Sequence, residues 1–107
     1  MTKDKDKLYF RVEYDSGTKV VWGKAVERQL ARLPAQICEK LQAWATDVRL
    51  IGIREARRRP GYHDEPLHGQ RQGQRSVRLS RSYRAIYLEH ESGTVLVEVI
   101  EVNKHGY

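Results

Sequence analysis

Residues Thr94 to Val102 constrain this chain more than any other stretch. Val95, Val97 and Val99 alternate with Leu96, Ile100 and Val102, so both faces of an extended segment would be apolar. A strand that must hide both faces belongs inside a sheet, with a neighbour on each edge and layers above and below. The segments that could supply those neighbours are legible upstream. Gln74 to Ser80 sets Val77 and Leu79 on one side and Arg78 on the other, and Tyr83 to Glu89 sets Ile86 and Leu88 opposite Ala85 and Tyr87. Arg81-Ser82 is the tight connection between them, and Glu91-Ser92-Gly93 turns the chain into the last strand.

Earlier in the chain the apolar period is mixed. Leu8, Phe10, Val12 and Tyr14 alternate with Tyr9, Arg11 and Glu13, and Asp15-Ser16-Gly17 is a turn signal before Lys19-Val20-Val21-Trp22, which predicts an antiparallel hairpin. Residues 1 to 7 alternate Lys with Asp and read as a frayed tail. Val26, Leu30 and Leu33 mark one helical face, and Pro34 opens a second helix carrying Ile37, Leu41, Trp44, Ala45 and Val48. Gly52 stops it, a basic turn covers Ile53 to Arg58, and Pro60-Gly61 ends any helix. The element order ββααβββ predicts an α+β domain, a small and mainly antiparallel β-sheet with a two-helix pair packed on one face.

Charge is unevenly placed along this frame. Residues 54 to 84 hold nine Arg against three acids, which accounts for the whole net charge of +6; the other residues carry eleven basic and eleven acidic side chains. A focused surplus suits a polyanion, since it steers phosphates and releases their counterions. No apolar run approaches the roughly 20 residues that span a bilayer, no secretion pattern follows the charged N-terminus, and a cytoplasmic protein with no membrane partner is expected. Cys38, the single cysteine, reads as a half-buried core residue and excludes an internal disulfide.

Several residue groups could carry chemistry. Arg84 presents a planar fork for phosphate, or is an exposed strand arginine paired with Glu89 or Glu65. Glu65 could take a proton from a ribose hydroxyl, or is a solvated partner of the nearby arginines. His105, on the side of Val99, Glu101 and Tyr107 if the last strand continues, could protonate a leaving alkoxide, or is a frayed tail residue. Tyr107 could stack on a base or simply end the chain. His63, Asp64, Glu65 and His68 match no zinc spacing, and Pro66 prevents the helix that would align them, so no metal is expected. Ser76, Ser80 and Ser82 lack a histidine and acid in order for a serine hydrolase, and Gly69 and Gly73 do not open a helix as a phosphate loop would.

Taken together, four motifs in this order resemble the RelE/ParE superfamily of bacterial toxins, in its messenger-RNA-cleaving RelE and HigB-like branch. They are Glu65-Pro66-Leu67 with Gly69-Gln70-Arg71, then Arg75-Ser76-Val77-Arg78-Leu79, then Tyr83-Arg84-Ala85-Ile86-Tyr87, and finally Val102-Asn103-Lys104-His105-Gly106-Tyr107. The resemblance covers residues 19 to 107 and leaves 1 to 18 as an N-terminal extension. It implies a RelE-like fold and a ribosome-dependent endoribonuclease without cofactor, the toxin of a type II toxin-antitoxin system held inactive by a cognate antitoxin of helix-turn-helix type. It implies Glu65 as base, Arg84 on the scissile phosphate, His105 as acid and Tyr107 as the stacking or proton-positioning group. Arg78 matches a basic residue facing the RNA, with Arg71, Arg75, Arg81, His68 and Lys104 as further RNA contacts.

The chain departs from the family pattern at two points. His68 replaces a lysine common after Pro-Leu, and Gly106 separates His105 from Tyr107 where relatives often have the two adjacent. The alternatives to a nuclease are a ParE-like inhibitor of DNA gyrase, which would need the basic surface but neither Glu65 nor His105, and a plain RNA- or DNA-binding regulator.

Overall fold

The computed structural model describes residues 16–92 and 94–104. Its elements are β1 (Lys19–Trp22), α1 (Lys24–Leu30), α2 (Ala35–Ile51), α3 (Ile53–Arg57), β2 (Glu65–Pro66), β3 (Arg75–Arg78), β4 (Tyr83–Ser92) and β5 (Thr94–Lys104). Short 3-10 turns lie at Pro60–Tyr62 and Gly69–Arg71. The strands form one sheet in the order β1-β5-β4-β3-β2, with β1 parallel to β5 and every other pair antiparallel. This is the α+β architecture expected, and the two-sided apolar strand β5 does sit inside the sheet. No described helix is long and apolar enough to cross a membrane.

One expectation falls outside the described residues, and other details differ from the sequence reading. The hairpin expected before β1 has its first strand, Leu8 to Tyr14, outside the described residues; among those described, β1 pairs with β5. The basic turn from Ile53 to Arg58 is a helix, because Ile53 and Ala56 share a face and both are buried. Gly52 separates it from α2 by taking φ +87°, a conformation that costs glycine little. Its N–H still donates to Val48 O, and its carbonyl accepts from Ala56 N–H. Ser16, from the far end of the chain, satisfies a carbonyl left over in the last turn of α2, donating to Arg49 O from both its amide and its Oγ.

A further difference is a β-bulge. Ile86 faces Glu101 but Tyr87 faces Val99, so Ile100 is an extra residue in β5. Simple alternation puts Val99 and Val102 on opposite sides, whereas both are buried on the helix side. Gln29 of α1 accepts the Val102 N–H at 2.8 Å where the bulge disturbs the ladder. The core is the layer between α2 and this face. Ile37, Leu41, Trp44, Ala45 and Val48 meet Val77, Ala85, Tyr87, Val97, Val99 and Val102, and the Trp44 and Tyr87 rings lie 5.2 Å apart and tilted by 47°. Cys38 is half-buried at the edge, donating to Leu30 O.

Beside this core lies a charged cluster. The Asp64 side chain is fully buried and accepts hydrogen bonds from Arg75 Nε at 2.6 Å and Tyr87 Oη at 2.5 Å, with Arg57 Nε at 3.9 Å. Burial, and then the bond to Asp64, push the Tyr87 hydroxyl well above its ordinary pKa, so it remains a donor. Arg57 also donates to Glu89 at 2.7 Å. A carboxylate removed from water in this way is stabilised only by its partners, and they in turn need it. Replacing Asp64 with alanine should therefore lower unfolding free energy by about 3 kcal/mol, the low end for a broken buried pair because Arg57 and Arg75 keep some exposure. Urea melts of wild type and Asp64→Ala check this; midpoints that coincide would show the cluster to be dispensable.

Candidate functional site

The register of four strands builds the face opposite the helices. Glu65 pairs with Ser76, Ser76 with Ile86 and Ile86 with Glu101, which makes one row across the sheet. Arg78 pairs with Arg84 and Arg84 with Asn103, which makes the next. Residues directly opposite share a face, and these rows alternate with the buried row of Val77, Ala85 and Val102. Without the bulge at Ile100, Val99 and Glu101 would share a side; with it, Glu101 and Asn103 join the open face while Val99 stays in the core.

Arg78 opposite Arg84 is an unfavourable cross-strand pair, since like charges face to face on a sheet repel. A concavity runs beside them. His63 and Glu65 line it from the loop and β2, Ser76 and Arg78 from β3, Ser80 and Arg81 from the β3–β4 turn, and Tyr83 and Arg84 from β4. That turn is held by Ser80, whose Oγ accepts the amides of Ser82 and Tyr83, while Tyr83 O accepts the amides of Leu79 and Ser80. Arg81 is thereby fixed at the rim.

A second set of bonds orders the open face behind Arg84. Asn103 Oδ1 accepts from Arg84 Nε at 3.4 Å, Asn103 Nδ2 donates to Glu101 Oε2, and Glu101 Oε1 accepts from Arg71 Nη2 at 2.6 Å. Arg71 also donates to Gln74 at 2.9 Å. A carboxylate only accepts, so Glu101 draws the NH₂ side of Asn103 and turns its carbonyl toward Arg84. The Arg84 guanidinium is held through Nε, and its two terminal nitrogens keep the fork geometry that suits a phosphate. Burial pushes the Glu101 carboxyl up, but the bonds from Arg71 and Asn103 and the charges of Arg71 and Arg84 outweigh it and leave its pKa below the ordinary value.

Of the residues singled out in sequence, Glu65, Arg78, Arg81 and Arg84 come together at the concavity. Neither carboxylate considered for Arg84 forms an ion pair with it among the described residues: Glu89 holds Arg57, and Glu65 shares the concavity without pairing to it. Arg71 lies on the Glu101 side of the face. Arg75 is not on this face; it sits opposite Tyr87 and is tied to buried Asp64, so its geometry is that of a structural arginine. His68 is exposed ahead of the 3-10 turn, and Lys104 is exposed opposite Tyr83. His105 and Tyr107 lie outside the described residues. Among the described residues no three of His, Cys, Asp and Glu are grouped to hold a metal. Sequence reasoning passed over Tyr83, Glu101 and Asn103. Parity along β4 does not reveal Tyr83 because it comes in at the turn, and the bulge hides the other two.

No family model matches the chain, and no curated protein does. Solved structures do. The YoeB/ParE toxin from Agrobacterium tumefaciens is 28% identical with a TM-score of 0.59, over 82% of this chain and 99% of that one. The RelBE2 toxin-antitoxin complex from Mycobacterium tuberculosis matches at 25% identity and a TM-score of 0.60, over 81% of this chain and 96% of that one. The chain has the fold of RelE/ParE-superfamily toxins and resembles them in sequence. The YoeB-YefM complex from Staphylococcus aureus, at 11% identity and a TM-score of 0.60 over 81% of this chain and 95% of that one, shows the same toxin fold. On this chain the arginine pair and Glu65 occupy one concavity of the open sheet face.

Because Glu101 has a depressed pKa in the folded protein, its bonds stabilise the fold above the ordinary carboxylate value of 4.5 and are lost as pH falls through the lower folded value. Wild type should accordingly be more stable than Glu101→Gln at pH 7, and the difference should shrink on acidification below pH 4.5. Chemical denaturation of both proteins at neutral and acidic pH tests the sign; a gap that widens in acid would contradict it.

Proposed function

We propose that this protein is the toxin of a type II toxin-antitoxin pair and cuts ribosome-bound messenger RNA. The observation that carries this reading is the concavity in which Glu65 meets the opposed arginines Arg78 and Arg84. RNA brings its own nucleophile. Glu65 takes the proton of the 2′-hydroxyl, whose oxygen attacks phosphorus; Arg84, with Arg78, stabilises the charge that develops on the non-bridging oxygens; the bond to the 5′-oxygen breaks. The leaving oxygen needs a proton, and the family resemblance assigns that to His105, with Tyr107 stacking on a base. The products are a 2′,3′-cyclic phosphate and a 5′-hydroxyl, and DNA is excluded as substrate because it lacks the nucleophile.

Acid–base assistance supplies only about 10²–10⁴-fold, so orientation of the message by the ribosome contributes much of the remainder. Residues 19–107 form the toxin domain in this reading, and 1–18 an extension. The antitoxin partner is supported by the RelBE2 and YoeB-YefM complexes, in which toxins of this fold are bound by one. A gyrase-directed toxin on the same scaffold would use the basic face without requiring Glu65.

Arg84→Ala and Glu65→Gln should each melt like wild type, since both side chains stand on the open face, and each should lower cleavage by about 10²–10³-fold. Arg71→Ala should cost less and depend on salt, as expected for a charge that positions RNA. Rates on a programmed ribosome, with products mapped by primer extension, test this; wild-type cleavage by Arg84→Ala would remove the arginine from the mechanism.

Deleting residues 105–107 separates the nuclease from the gyrase inhibitor. The deletion follows Val102, the last buried residue of β5, so it should leave the melting curve nearly unchanged while abolishing cleavage. A truncated protein that still cuts would exclude His105 as the acid, and one that halts growth through DNA damage would favour gyrase.

A further inference from the structure

One ring in the concavity has no role in the scheme above. His63 lies at its wall with Glu65, Arg78 and Arg84. Among the described residues its side chain has neither a hydrogen bond nor an ion pair. It is also the single non-glycine among them with positive φ, at φ 44° and ψ 47°. Histidine, with asparagine and aspartate, is among the side chains that enter this left-handed region more readily, and residues in sparsely populated backbone conformations cluster at ligand sites.

The cause of its placement is next to it in sequence. Asp64 is drawn to the buried side by Arg75 and Tyr87. Its neighbours on either side, His63 and Glu65, both line the concavity. Two residues of chain span at most about 7 Å, a separation that lets the two side chains close on one phosphodiester, the carboxylate at the 2′-oxygen and the ring at a phosphate oxygen. The charged groups facing the ring there are Glu65 from β2, Arg78 from β3, Arg81 from the turn and Arg84 from β4. Three cations and one carboxylate leave an excess of positive charge for an anion to occupy.

We propose that His63 is a further catalytic residue, whose imidazole N–H donates to a non-bridging oxygen of the scissile phosphate beside Arg84. This rests on the nuclease reading and adds a donor to it. The role is distinct from the proton transfer assigned to His105, because the ring N–H donates a hydrogen bond and transfers nothing. Asp64 is then a positioning residue: it holds the segment so that base and donor reach the same phosphate.

The test is single-turnover cleavage of a ribosome-bound message by wild type, His63→Asn and His63→Lys, with melting curves. Asparagine tolerates the left-handed backbone but lacks the reach of the ring's far nitrogen, and lysine restores a donor of that reach. The expected result is a cleavage rate lowered about 10²-fold in His63→Asn with the half-saturating concentration little changed, and substantial recovery in His63→Lys. His63→Gly, which relieves the backbone, stands in should His63→Asn fail to fold. Wild-type rates in His63→Asn, a loss confined to half-saturation, or a lysine variant no better than asparagine would each overturn the proposal while leaving the nuclease intact. A wild-type protein that cuts nothing would remove the nuclease reading itself, and this proposal with it.

Discussion

The buried carboxylate of Asp64 is the interaction on which the rest of the structure depends. An isolated charge cannot remain in a protein interior, so Asp64 can be buried only because Arg75 of β3, Tyr87 of β4 and Arg57 of α3 converge on it. Those three come from separate elements, and one side chain therefore fixes the loop after the 3-10 turn, two strands and a helix relative to each other. β2 contains two residues and contributes little hydrophobic burial of its own. Its place at the sheet edge is secured by the residue just before it.

Because side chains alternate along extended chain, the buried Asp64 sets the direction of its neighbours. On the helix side the charges of Asp64, Arg75 and Arg57 border the apolar layer under α2 and are held in ion pairs there. On the open side water solvates charges, and arginines can face each other across β3 and β4 at modest cost. The division explains why chemically similar arginines have different fates. Arg75 and Arg78 stand three residues apart on one strand and point to opposite faces, the first into a carboxylate and the second into the concavity.

The open face is itself ordered at two levels. The concavity collects Glu65 with the opposed arginines, while the chain of bonds through Arg71, Glu101 and Asn103 holds Arg84 from behind. In the proposed mechanism, holding the guanidinium in place before RNA arrives limits the reorganisation needed when negative charge develops. Such preorganisation matters in a small protein whose site is an open sheet face rather than an enclosed pocket.

Local periodicity was enough to determine the helices α1 and α2, the strands β3 to β5, the interior position of β5 and the concentration of positive charge between residues 54 and 84. Each depends on near neighbours, and alternation or a 3.6-residue period records them in the chain. Glu65 and Arg84 stood out as candidates as well, since their motifs are contiguous. The partners did not. Asp64 reads as one more acid in a polar loop, and only long-range packing reveals that it is buried, with Arg75 spent on it. The parallel pairing of β1 with β5 joins segments far apart in the chain. The extra residue at Ile100 shifts the parity of all that follows it in β5, so that Val102 enters the core and Glu101 and Asn103 reach the site. A bulge of this kind is decided by how β5 fits against β4 and Gln29. That fit exists only once the tertiary structure has formed.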